Sequence, residues 1–358
     1  MKKIIALCLL MCLLGCQSKP KEQVPDEPYV KNSERYRYTM ESLEISEELN
    51  ALLNGDNKAR FFKAYNGKLL FEQRDETVTD QVGRTEALYE YDLHTQELRS
   101  LELPEENIKI WDAIYYQDQY IYIVRHKEDG LTTIIAENQN HETTVLLEEM
   151  GIAFMGHPSF EIATDGLYYW FFQELNNQHY TKYQRITSVL EVESLWEGKK
   201  EDDKPLCMVY SSQNAALTQR DDTYTYLRDG KQISIEYPSE FKFIYLLTDY
   251  IILDEEQYFD LATKEWKSLK ETNMPDFKKL RFIDQNAILY VNDSKELHVS
   301  QFNDGTFTDE KIGEISYGGS DLNCYRVNDE EILATHSYTK RTEDKQALYL
   351  IRREVIEE

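Results

Sequence analysis

The sequence predicts an all-β fold, a single β-propeller of seven blades with six or eight left open, behind a signal peptide and a short tether. Three observations predict it. The body is built of short strand-like runs, a turn-and-strand phrase recurs in it seven times, and the first residues follow a pattern found nowhere later. The expected divisions are a leader at 1–15, a flexible tether at 16–34 and the propeller at 35–358, with blade repeats from about 60.

Met1-Lys2-Lys3 gives a positive start, and residues 4–14 form an apolar run broken only by Cys8 and Cys12. Eleven helical residues reach about 16 Å, about half of a hydrocarbon core of about 30 Å. A basic start before a short apolar run therefore reads as a secretory leader rather than a span. No later stretch holds the roughly 18 apolar residues that a spanning helix needs. The polar, proline-bearing segment from Gln17 to Pro28 has no hydrophobic periodicity and reads as an extended tether.

The leader ends in Leu13-Leu14-Gly15-Cys16. This ending resembles the lipobox of bacterial lipoproteins, although Leu14 stands where many lipoboxes carry a smaller residue. The resemblance implies a diacylglyceryl group on Cys16, cleavage before it, and a membrane partner on the extracytoplasmic face of the cell membrane. Cys8, Cys12 and Cys16 share one helical face, which small apolar residues in a transient leader explain better than a metal site does.

From about residue 60 the chain turns to runs such as Lys68-Leu69-Leu70-Phe71, Tyr120-Ile121-Tyr122-Ile123-Val124 and Ala287-Ile288-Leu289-Tyr290-Val291. Each is bounded by Asn, Asp, Gly or Gln, as strands between tight turns are. Helical periodicity is confined to residues 40–53, where Leu43, Leu49, Leu52 and Leu53 share a face ahead of Asn54-Gly55. The recurring phrase is a polar turn followed by an apolar strand, anchored at Asn66, Gln117, Asp165, Gln213, Asp249, Gln285 and Asp329. Successive anchors lie 36 to 51 residues apart, and the mean of about 44 suits a four-stranded blade. Closing the ring requires one terminal segment to complete a blade begun by the other. Arg35-Tyr36-Arg37-Tyr38-Thr39 and Ala347-Leu348-Tyr349-Leu350-Ile351 are the candidates. Two β-sandwich modules split near residues 197–204 are the architectural alternative.

A second phrase repeats in register: Tyr91-Asp92-Leu93-His94-Thr95-Gln96-Glu97-Leu98 and Phe259-Asp260-Leu261-Ala262-Thr263-Lys264-Glu265-Trp266 lie 168 residues apart, or four periods of 42. It resembles the blade signature of kelch-type and related bacterial propellers, without their twin glycines except at Gly318-Gly319. Asp and Thr here are expected to bond turn backbone, which is a structural role.

Lys+Arg 40 against Asp+Glu 66 sets the formal charge at −26, which disfavours nucleic acid as a partner. The seven histidines (His94, His126, His141, His157, His179, His298 and His336) show no metal-ligand spacing, and each is read as a surface or turn residue. No nucleophile elbow and no phosphate-binding glycine loop occurs. Gly318-Gly319-Ser320-Asp321 is read as a blade connection, and Asn303-Asp304-Gly305-Thr306-Phe307 as a type I′ hairpin. Cys207 and Cys324 are read as separate buried thiols. The tyrosine excess, dense at Tyr115-Tyr116, Tyr120, Tyr122 and Tyr168-Tyr169, is assigned to packing between blades.

No catalytic, cofactor-binding or metal residue is therefore assigned, and Cys16 is the one modified site. The expected function is that of a non-enzymatic binding or scaffold module at the cell surface, a lipid-anchored propeller with a protein or glycan ligand. The alternative is a propeller-type glycosidase or lyase acting on envelope or extracellular polysaccharide.

Overall fold

The computed structural model of the chain describes residues 29, 31–32, 34–54, 59–74, 84–126, 131–150, 159–163, 165–175, 178–199, 209–212, 215–220, 223–228, 231–236, 244–253, 257–269, 280–315, 321–340 and 343–356. Cys16, His157, Cys207, Gln213 and Gly318-Gly319-Ser320 lie outside them. Among the described residues the strands form seven four-stranded antiparallel sheets, each a blade whose strands follow the order of the chain outward from the axis. The inner strands are Ala59–Tyr65, Ile108–Tyr116, Glu161–Ala163, Val209–Ser212, Ile244–Leu246, Leu280–Asp284 and Asp321–Arg326, for blades 1 to 7.

The one departure from chain order closes the ring. Blade 7 takes three strands from the C-terminal side, ending in Glu343–Val355, and its outer strand is Tyr36–Ser42. The pairing runs from Tyr36 opposite Val355 to Ser42 opposite Tyr349. Both segments that were candidates for closure thus meet each other.

The reason these strands are so apolar is that neighbouring blades cover both faces of each sheet. All residues of Ile108–Tyr116 are buried, for example. The core accordingly divides into seven hydrophobic clusters, one at each junction between adjacent blades. Leu70 meets Tyr122 in the cluster between blades 1 and 2, Ile114 meets Leu167 between 2 and 3, and Leu69 meets Leu333 between 7 and 1. Each large apolar side chain buried this way contributes roughly 1.5–3 kcal/mol, so the junctions hold the ring together. Tyr116, Tyr122, Tyr168 and Tyr169 are buried in such clusters, which accounts for the tyrosine excess as packing.

Six of the seven anchors fall in the turn from inner to second strand of successive blades, and Gln213 lies in sequence at the corresponding place in blade 4. The Asn66-Gly67 turn has φ values of 50° and 74°, Gln117-Asp118 of 50° and 57°, and Asp304-Gly305 of 44° and 85°. These are type I′ turns, whose twist matches that of the flanking strands. The two short anchor spacings reflect short strands: none in blade 5 exceeds four residues, whereas blade 3 holds strands of nine and ten. The repeated hairpin phrase joins third to outer strands in blades 1 and 5, four blades apart. Asp92 Oδ1 accepts the amides of His94 and Thr95 at 2.9 and 2.8 Å. Asp260 Oδ1 accepts those of Ala262 and Thr263 at 3.0 and 3.2 Å.

Two expectations change. The helix is Glu47–Leu53 alone, capped by Ser46, with Leu49 and Leu53 buried against the junction of blades 7 and 1. Met40 and its neighbours are drawn into the outer strand of blade 7 instead. The sandwich alternative fails because Val192–Lys199, which it would place at a domain boundary, is the outer strand of blade 3.

Antiparallel alternation puts the inner-to-second and third-to-outer turns on one face of the ring. Within the stretch assigned to the tether, Tyr29, Lys31 and Asn32 lie across that face. Tyr29 Oη is 2.7 Å from the Thr248 carbonyl and accepts from Arg228 Nη1 at 3.0 Å. The Asn32 amide donates to Asp249 Oδ2 at 3.0 Å. Lys31 Nζ donates to Asp260 Oδ2 at 2.9 Å and Asp304 Oδ1 at 2.8 Å. Burial alone would raise the Asp260 carboxyl, but hydrogen bonds from Lys267 and Lys31 hold it down at about 2. A depressed carboxylate stabilises the fold above its ordinary titration range, near pH 4, and that contribution is lost as pH falls through its folded value. Hydrogen exchange over residues 29–42, corrected for intrinsic rates, is therefore expected to accelerate between about pH 4 and 2. A segment equally protected at both ends of that window would contradict this account.

Candidate functional site

A charged side chain on a strand covered on both faces must be paired or reach water. In this ring the inner strands have an outlet, the axis, and their charged residues gather there. One cavity of about 280 Å³ is walled by Lys63, Glu161, Arg281, Cys324, Tyr325 and Arg326, among others. Walls contributed by blades 1, 3, 6 and 7, which are not all neighbours, make this cavity axial. A second cavity, of about 420 Å³, is walled by Arg60, Lys63, Trp111, Asp112, Asn323 and Tyr325 together with apolar groups of blade 1. Lys63 and Tyr325 line both. Ala59, at the start of its inner strand, and Ser337 and Gln346, near a second-to-third hairpin, place the larger cavity toward the face opposite the Tyr29–Lys31 strap.

Four cations and two carboxylates face these cavities among the described residues, in a chain whose formal charge is −26. Each of these cations has neighbours in the fold, and Arg281 Nη1 donates to the Leu280 carbonyl at 3.2 Å. Arg60 Nη2 donates to the Trp111 carbonyl at 2.8 Å, and its Nη1 reaches Glu72 at 3.4 Å. Arg326 bonds Asp284. Asp112 is anchored by three donors: Oδ1 accepts the Ala113 amide at 3.0 Å, and Oδ2 accepts Phe160 N at 2.8 Å and Ser159 Oγ at 3.1 Å. Lys63 Nζ stands 3.7 Å from Asp112 Oδ2, attracted to it but beyond hydrogen-bond reach. Burial pushes the Cys324 thiol up to about 12, so it stays protonated and is no nucleophile at neutral pH.

Among the described residues the histidines lie off the inner strands. His94 sits in a hairpin of blade 1, His141 beside Glu137, and His126 between Thr133 and Glu105. His298 bonds Asp309, His336 is buried in the second strand of blade 7, and His179 belongs to the third strand of blade 3. Among the described residues no three His, Cys, Asp or Glu side chains converge to hold a metal.

Sequence reasoning assigned none of the axial residues. The signal was there: Lys63, Asp112 and Arg281 are charges inside otherwise apolar runs, each three to five residues before an anchor turn.

Solved structures that share this architecture include two of particular similarity in fold. An oligogalacturonate lyase in complex with manganese superposes with a TM-score of 0.52 at 13% identity, covering 90% of this chain and 98% of its own. A prolyl endopeptidase superposes with a TM-score of 0.51 at 11% identity, covering 84% of this chain and 50% of its own. The likeness is one of fold. The chain spans about half the length of the peptidase, the share its propeller-like match occupies. No family model and no curated protein matches the sequence.

Proposed function

We propose that this protein is a lipid-anchored, extracytoplasmic β-propeller that binds a glycan in its axial channel without transforming it. The observation that carries the reading is a pair of axial cavities walled by polar side chains from several blades, with Lys63 and Tyr325 lining both. Such convergence of a few polar groups in a concave, largely preformed space is what small-ligand sites share.

The anchor rests on the leader and on Cys16. In this reading the strap formed by Tyr29, Lys31 and Asn32 brings an acylated Cys16 to that face of the ring, with the larger cavity toward the opposite face. Two acyl chains suffice for stable attachment without a spanning helix, and no helix among the described residues is long and apolar enough to cross a membrane. Cys16→Ser is expected to move the protein from the membrane fraction to the soluble one. Persistent membrane association of that variant would end the lipid-anchor reading.

The likeness to an oligogalacturonate lyase makes acidic oligosaccharides the first ligands to try. Calorimetric titration of the detergent-solubilised protein is expected to show saturable binding, with the sugar recovered intact. Recovery of cleaved or unsaturated products would replace the binding reading with the enzymatic one.

A further inference from the structure

We infer that the axial channel selects short acidic oligosaccharides over polymeric ones, with Lys63 and Arg281 as the side chains that read the sugar carboxylate. This rests on the channel being the glycan site.

The charge contrast is the first argument. The chain as a whole carries an acidic excess, while among the described residues cations outnumber carboxylates on the channel wall. A cleft whose wall carries an excess of one sign of charge raises the local concentration of the opposite ion. An anionic sugar short enough to lie inside meets that excess. A long polyanion must also drape over an exterior of its own sign, where repulsion acts over a Debye length of about 8 Å at physiological salt.

Side-chain chemistry supplies the second argument. Lys63 is held near Asp112, whose oxygens already accept from Ala113, Ser159 and Phe160, so the carboxylate positions the ammonium by charge without taking its protons. An ammonium has three donors to offer. Arg281, from blade 6, faces the same cavity, and the planar fork of a guanidinium fits a carboxylate. Tyr325 beside Lys63 adds a ring face in both cavities, suited to the apolar side of a pyranose.

The test is titration of the detergent-solubilised full-length protein with galacturonate and glucuronate trimers, their neutral methyl esters, and the corresponding polymers. At least one acid trimer is expected to bind about tenfold or more tighter than its ester, with affinity falling as salt rises. Lys63→Met is expected to lower the ratio of acid to ester affinity from about tenfold to about twofold or less, the ratio being read within the same variant. Arg281→Gln gives the same reading without disturbing Asp112, and Lys63→Arg is expected to restore part of the preference. Equal binding of acid and ester overturns carboxylate recognition but leaves the glycan site standing. An acid preference untouched by both substitutions moves the recognition elsewhere and overturns the assignment. Polymers binding as tightly as trimers overturn the length selection. Binding of none of these sugars takes down both this inference and the glycan reading beneath it.

Discussion

Replacing Asp284 with alanine is expected to cost about 3–5 kcal/mol of unfolding free energy, the range for removing one partner of a buried ion pair. Asp284 ends the inner strand of blade 6 and is fully buried. Tyr38 donates to its Oδ2 at 2.9 Å from the N-terminal strand. Arg326 reaches it from the inner strand of blade 7, and Arg353 Nη1 from the C-terminal strand, at 2.9 Å to Oδ1 and 3.1 Å to Oδ2. One carboxylate therefore ties blade 6 to the two chain ends that close the ring. Without it, two guanidinium groups with side chains only 10% exposed lose their shared counter-ion. Arg353 retains the Tyr36 ring, 4.5 Å below its guanidinium, but a ring face is a weaker partner than a carboxylate. Denaturant unfolding at constant m-value measures the loss. Asp284→Asn, which keeps the shape and one acceptor, is expected to fall between wild type and alanine. A change below about 1 kcal/mol for the alanine variant would show that the closure rests on strand pairing and apolar burial alone.

The ring was legible in the sequence because a propeller repeats its local physics. Asn66-Gly67 and Asp304-Gly305 announce type I′ turns by residue type. Asp92 and Asp260 announce hairpins because a carboxylate that accepts two turn amides leaves the same phrase at each occurrence. The closing strand was legible for a different reason: Tyr36 and Tyr38 alternate with Arg37, the pattern of a half-covered outer strand. The helix was overextended because Met40 fits either period, and pairing with Ile351, 311 residues away, decided between them. Residue type gave little warning of the strap either. Lys31 and Asn32 read as polar tether, yet their partners Asp260, Asp304 and Asp249 lie more than 200 residues along the chain. The axial site was hidden for the same reason. Lys63, Asp112, Arg281 and Tyr325 share no local phrase, and only closure of seven blades brings them to one axis.

The second large effect is expected at the junction of blades 1 and 2, where Glu72 on the second strand of blade 1 and Lys109 on the inner strand of blade 2 are both buried and bonded to each other. Thr85 Oγ1 donates to Glu72 Oε2 at 2.5 Å and accepts the Ile110 amide at 3.0 Å, so the pair is built into the backbone of both blades. Lys109→Met removes the ammonium and leaves the Glu72 carboxylate with Thr85 and the distant Arg60 as its described partners, an expected loss of about 3–5 kcal/mol. The double variant Glu72→Gln/Lys109→Met removes both charges of this pair, and an apolar side chain of similar length fills the space of the lysine. Buried ion pairs replaced by well-packed neutral groups are often neutral in stability, because the desolvation of both ions disappears with their attraction. The double variant is therefore expected to recover most of the loss, with a coupling of about 1–3 kcal/mol in the mutant cycle. Arg60 loses little in that background. Its side chain is 30% exposed and its Nη2 keeps the Trp111 carbonyl, so the channel wall stays in place while the pair loses its charges. If the double variant were as unstable as the two single losses added together, Glu72 and Lys109 would be contributing independently, each through its own neighbours, and the ion pair between them would be incidental to how blades 1 and 2 join.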